Sequence, residues 1–183
     1  MSFWTELHTP TEHELLVGFY DLTGYMRFAE TLESPRLLEL MTGYFAVTGG
    51  ILVEAGGRLI KTLGDAGLAV FPAELVDAGV LAFQAVQREG DAWLARHDCG
   101  SRAIVKLHLG PVALGMVGSP GDERLDVYGK TVNVAATVAS TGFAMTPAVF
   151  RRLAPAIRKL FKKHTPPVTY IDLEDTRPRL RAA

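Results

Sequence analysis

The sequence is poor in cysteine, in net charge and in long apolar runs, and each shortage narrows what the chain can be. One cysteine, Cys99, occurs in 183 residues. An intrachain disulfide is therefore impossible, and a reducing, cytoplasmic setting is expected. Nineteen basic side chains face 20 acidic ones, for a formal net charge of −1. That balance argues against a broadly basic nucleic-acid binder and against an acidic tail, while leaving room for a few cations around phosphates. No run of about 18 apolar residues occurs, so no membrane span is expected. The start, Met1-Ser2-Phe3-Trp4-Thr5-Glu6, lacks the basic and apolar regions of a signal peptide. P-loop, dinucleotide and nucleophile-elbow patterns are missing. His8, His13, His97, His108 and His164 show no metal-ligand spacing.

What is present is enough hydrophobic residue, 48%, for one substantial core. Residues 1–183 are expected to form a single domain, with its core over about 13–173, a loose tail over 174–183 and no fused sensor domain. Leu15–Tyr20 reads as a buried strand ending at Asp21. Ser34-Pro35 reads as a helix start, with serine as the cap, and the helix continues toward Ala55. Arg58–Leu63 and Ala66–Phe71 are strands joined at Gly64-Asp65, and so short a connection makes them antiparallel. Leu75–Leu94 is the next helix. Ala103–Leu109 and Val112–Val117, split by Gly110-Pro111, read as a second hairpin, followed by the loop Ser119–Glu123. Thr131–Ser140 is a helix, Thr146-Pro147 starts a short one, and Val168–Leu173 is a final strand. Phe28, Phe45, Phe83 and Trp93 read as core residues. The mixture of hairpins and helices gives an α/β (α+β) class with a ferredoxin-like βαββαβ core plus extra strands and helices.

In such a sheet the first strand lies beside the central hairpin, so Asp21 and Asp65 can converge at one edge. Their hard oxygens suit Mg²⁺ or Mn²⁺, completed by triphosphate and water. Taken alone, Asp65 is more simply a turn residue and Asp21 a helix cap.

The segments around them carry more. Phe19-Tyr20-Asp21-Leu22-Thr23-Gly24-Tyr25, Gly57–Ala66 and Leu125–Ala136 resemble, in order, three motifs of class III adenylyl and guanylyl cyclases. The resemblance runs from about Leu15 to Ser140, and more weakly to Leu173. It implies two metal ions, Mg²⁺ or Mn²⁺, on Asp21 and Asp65, and phosphates cradled by the amides of Leu22, Thr23, Gly24 and Tyr25. It implies that Lys61 and Asp126 read adenine, lysine donating to a ring nitrogen and aspartate accepting from the exocyclic amine. Asn133 would orient the ribose. Each site would form between two protomers of a head-to-tail homodimer, converting ATP to 3′,5′-cyclic AMP and pyrophosphate, with regulation left to an unidentified partner. Diguanylate cyclases have a related fold, but Leu63-Gly64-Asp65-Ala66 does not match their signature turn.

The sequence departs from the family in three places. One turn after Asn133, where the family has an arginine for transition-state charge, stands Thr137. Lys130, Arg124 and Arg151 are the nearby candidates to compensate. Met26 replaces a hydroxyl residue after Gly24-Tyr25. Lys162 and Lys163 lie where the family has a triphosphate-binding lysine, but Pro166-Pro167 interrupts the match. The alternatives are therefore an inactive or weak pseudo-cyclase that binds nucleotide and dimerises, or a cyclase for another triphosphate.

Overall fold

The computed structural model of the chain describes residues 3–5 and 10–174. His8 and the expected tail beyond Glu174 lie outside the described residues. In chain order the elements are β1 (Thr11–Leu22), α1 (Tyr25–Ala29), α2 (Ser34–Glu54), β2 (Arg58–Leu63), β3 (Ala66–Pro72) and α3 (Val76–Arg96). They continue with β4 (Ala103–Val117), β5 (Arg124–Tyr128), α4 (Lys130–Thr137), β6 (Phe143–Met145), α5 (Pro147–Arg152), α6 (Pro155–Arg158), β7 (Phe161–His164) and β8 (Thr169–Asp172). The sheet order is β2-β3-β1-β4-β6-β8-β7, with β5 hung from β4. The first four of these strands, with α2 and α3 between them, form the expected βαββαβ core.

Strand β1 is central. It pairs antiparallel with β4 over all of Thr11–Leu22 and with β3 over Leu15–Tyr20. Its side chains alternate between two apolar clusters, as the period of a strand requires. Leu16, Tyr20 and Leu22 join Leu52, Phe71, Val80 and Phe83 under helices α2 and α3. Leu15 and Val17 join Leu68, Val70, Val112, Leu114, Val127 and Ala135 on the other face, beneath β5 and α4. Burial on both faces explains why Leu15–Tyr20 is almost continuously apolar. Phe83 is fully buried, and Phe28, Phe45 and Trp93 pack against its cluster, as their spacing suggested.

The β2–β3 hairpin is antiparallel as expected, with β3 running one residue further than expected, through Pro72. Gly64 takes φ 60°, the sign that a primed two-residue turn needs at its first central position. The second expected hairpin is not there. Ala103–Val117 is one continuous strand, and Pro111 lies within it. One edge of β4 runs along β1. The other pairs with β6 at Val105–Leu107 and with β5 at Ala113–Val117. Pro111 falls in the interval between those partners, where its missing N–H interrupts no ladder, and its carbonyl accepts from the Thr131 hydroxyl at 2.6 Å. The real hairpin joins β4 to β5 across the Ser119–Glu123 loop.

Two smaller differences concern helices. The N-cap of α2 is Glu33, not Ser34, and Pro35 stays in the first turn. By length and composition alone α2 could cross a membrane, contrary to the expectation from apolar runs. Here it packs through Tyr44 and Leu52, both fully buried, against α3 and the sheet.

Gly18 marks where α3 meets β1. A Cβ placed there would collide with the ring of Phe83. Gly18→Ala is expected to lower stability by roughly 1–3 kcal/mol through overpacking, read as a lower urea midpoint. An unchanged midpoint would show that the α3–sheet contact is loose.

Candidate active site

Asp21 sits near the end of β1 and Asp65 in the β2–β3 turn. Pairing of β1 with β3 brings these regions together, and Asp65 Oδ2 accepts the N–H of Leu22 at 3.0 Å. The hydrogen bond ties the hairpin turn to the residue after Asp21. Asp65 also lies close to Tyr25, whose phenol is pushed up by burial first and by the Asp65 charge second. Tyr44, beneath this edge, is pushed up strongly by burial, with smaller contributions from Tyr20, Asp91, Asp65 and Asp21. Burial pushes Tyr20 up to about 12. The two phenols therefore stay neutral under the carboxylates.

The expected phosphate cradle is only partly available. The Leu22 N–H is held by Asp65, and the Thr23 N–H donates to the Arg102 carbonyl at 2.9 Å. Gly24, at φ 68°, caps α1. Gly24 and Tyr25 remain for the expected cradle, at a helix start where the N–H groups lack intrahelical acceptors. Met26 is exposed.

Lys61 and Asp126 meet. Lys61 Nζ donates to Asp126 Oδ2 at 2.6 Å, bridging β2 and β5. A bulge between Leu59 and Lys61 makes this possible. The extra residue, Ile60, turns into the apolar cluster under β5, and the strand beyond it is re-aimed. Lys61 also stands over the Tyr128 ring, 5.8 Å from its centroid. Lys61, Asp126, Thr62 and Arg124 line a groove of ≈ 420 Å³. Asp126 is the more buried partner, its side chain 14% exposed against 50% for Lys61.

Asn133 and Thr137 are exposed on one face of α4. The Thr137 hydroxyl is directed into its own helix, 2.9 Å from the Asn133 carbonyl and 3.2 Å from that of Val134. Of the cations considered as substitutes, Arg124 pairs with Asp122 at 3.1 Å. Lys130 is exposed at the start of α4, and Arg151 is exposed on α5. Lys162 and Lys163 are exposed on β7.

One residue was missed. Lys106 Nζ lies 3.4 Å from Asp21 Oδ2. Asp21 is opposite Ile104 across the β1–β4 ladder, so Lys106 is its diagonal neighbour, within reach of a long side chain. The only sequence signal is a charged residue inside an apolar strand.

The donor chemistry at Asp21 and Asp65 fits a hard divalent cation. Among the described residues no group of three or more His, Cys, Asp or Glu could hold a metal. The remaining ligands would have to be water and phosphate oxygens, as is usual for Mg²⁺ bound together with a nucleotide.

Comparison with known proteins identifies relatives of the whole domain. An adenylate cyclase of Glutamicibacter nicotianae is 33% identical over 145 residues, covering 77% of this chain and 32% of that protein. The chain spans less than half the length of the curated relatives named here, 28% and 30% in the adenylate cyclases of Anabaena cylindrica and Streptomyces coelicolor. In structure, the adenylyl cyclase CyaB from P. aeruginosa superimposes with a TM-score of 0.78 at 18% identity, over 94% of this chain and all of that one. The guanylyl cyclase Cya2 superimposes at 0.72, also at 18% identity, over 89% of this chain and 92% of that one. The family model described as "Adenylate and Guanylate cyclase catalytic domain" matches residues 8–164. That segment holds both aspartates, the Lys61–Asp126 pair and α4, and the chain belongs to the adenylate and guanylate cyclase catalytic domain family.

Proposed function

We propose that the chain is an adenylyl cyclase domain that converts ATP to 3′,5′-cyclic AMP and pyrophosphate as a homodimer. The observation that carries the choice of base is the Lys61–Asp126 pair, one donor and one acceptor held 2.6 Å apart at a groove. Adenine presents a ring-nitrogen acceptor and an amine donor at adjacent positions, and these two side chains complement it. Guanine reverses the polarity at its six-position and would leave Asp126 facing a carbonyl. An unmatched polar group in a partly buried site costs more than a matched one gains.

In a two-fold dimer, one protomer supplies Asp21 and Asp65 and the other supplies Lys61, Asp126 and Asn133, which makes two equivalent sites. Gly24 and Tyr25 hold phosphate oxygens through their amides, and Asn133 orients the ribose. The 3′-oxygen then forms its bond to the α-phosphorus while the bond to the pyrophosphate oxygen breaks, and the hydroxyl proton leaves to solvent. Asp21 and Asp65 would hold Mg²⁺ or Mn²⁺, which when bound supplies positive charge for the transferring phosphoryl group.

A second reading, a nucleotide-binding dimer of low turnover, is favoured by one observation. Thr137 carries no charge, and its hydroxyl is directed to carbonyls of its own helix.

Three measurements test these readings. Purified protein with Mn²⁺ and each ribonucleoside triphosphate separately is expected to yield cyclic AMP alone by mass spectrometry. Cyclic GMP as the main product would overturn the role given to Lys61 and Asp126. Thr137→Arg is expected to raise kcat by roughly 10³ or more, the scale of an arginine in other phosphoryl transfers. No gain in a folded dimer would move the defect elsewhere in the site. Asp65→Asn keeps an acceptor for Leu22 N–H but removes the charge, and is expected to abolish metal-dependent binding of a non-hydrolysable ATP analogue by calorimetry. Unchanged binding would remove Asp65 from the site.

A further inference from the structure

Asp21 and Asp126 each meet one lysine, but the two pairs differ in kind. The Lys61–Asp126 contact is 2.6 Å, the length of a strong charge-assisted hydrogen bond. The Lys106–Asp21 contact is 3.4 Å, too long for one, although neither side chain is fully in solvent, at 21% and 35% exposure. Lys106 is held in place by its strand. Its backbone pairs with Phe19 on β1 and with Ala144 on β6, so the ammonium can move only as far as its own stem allows. The result is a positive charge tethered beside a carboxylate, close enough to neutralise it and bonded weakly enough to give way.

We propose that Lys106 is a tethered cation that competes with divalent metal for Asp21. The proposal rests on the reading of Asp21 as a metal ligand. In the absence of metal the ammonium neutralises Asp21 next to the second carboxylate, Asp65, and so relieves the repulsion between two acids gathered at one sheet edge. A divalent ion arriving at Asp21 must displace the ammonium or sit beside it, and either outcome lowers affinity. Charge repulsion of this kind falls off slowly over a few ångströms, even in a nearly aqueous dielectric. Lys106 is thus a positioning residue that sets the metal concentration at which the site fills. An ordinary cross-strand ion pair would stabilise the sheet and leave metal affinity unaffected.

The test measures Mn²⁺ binding by the full-length protein without nucleotide, using electron paramagnetic resonance of the free ion. Lys106→Met and Lys106→Gln keep most of the stem and remove the charge. Both are expected to bind Mn²⁺ about tenfold more tightly than the parent, the size expected when a single charge is removed from near a divalent ion. Lys106→Arg, which restores the charge, is expected to return affinity to near the parent value. Asp21→Asn is expected to weaken binding in both the parent and the Lys106→Met background. If the neutral variants fold but bind Mn²⁺ no more tightly than the parent, while Asp21→Asn still weakens binding, competition by Lys106 is overturned and the metal site stands. If Asp21→Asn leaves Mn²⁺ binding unchanged, the metal-site reading falls and this inference with it.

Discussion

The double pairing of β1 is the constraint from which the rest of the structure follows. A strand hydrogen-bonded along both edges and buried on both faces has no freedom to slip, because a shift of one residue would exchange its two apolar sets. Leu16, Tyr20 and Leu22 must face α2 and α3, and Leu15 and Val17 must face β5 and α4. That fixed register determines where Asp21 emerges, which β4 residue stands diagonal to it, and where the β2–β3 turn arrives. The Asp65–Leu22 hydrogen bond then joins two residues 43 positions apart at the end of the same strand.

Charge at the candidate site is arranged locally, as a chain of formal net charge −1 permits. Asp126 has Lys61, Asp21 has Lys106, and Asp65 has a backbone N–H. The two phenols below, Tyr20 and Tyr44, are held neutral by burial. Each acid therefore has its own compensating partner, and Asp21 and Asp65 can lie at one sheet edge without accumulating uncompensated repulsion.

The sequence made some of this legible. The hairpin over Arg58–Leu63 and Ala66–Pro72 was readable because a strong turn signal, Gly64-Asp65, separates two strand-like runs. The ordered motifs around Asp21, Asp65 and Asp126 carried the family and the candidate residues. Other features depend on long-range pairing that local pattern does not encode. Gly110-Pro111 looks like a turn, yet it falls between two partners of β4, which makes it harmless there. The strands Phe143–Met145 and Phe161–His164 are too short for periodicity to register, and neighbouring strands define them. Lys106 was missed because its relation to Asp21 is a diagonal across a ladder, visible only once register is known. The bulge that aims Lys61 was hidden for the same reason, as Ile60 reads as an ordinary alternating residue.

The Lys61–Asp126 contact does more than line a groove. It is also a latch between β2, on the outer edge of the sheet, and β5, which hangs from the far end of β4. A ligand that pulls either side chain away from the other gives up a tie between those strands. The strand released on one side belongs to the hairpin whose tip carries Asp65 and Leu63, the latter 82% exposed. The Lys61–Asp126 groove and the placement of Asp65 therefore share one mechanical part, and a molecule that opens the latch without replacing its bonds leaves the hairpin slack.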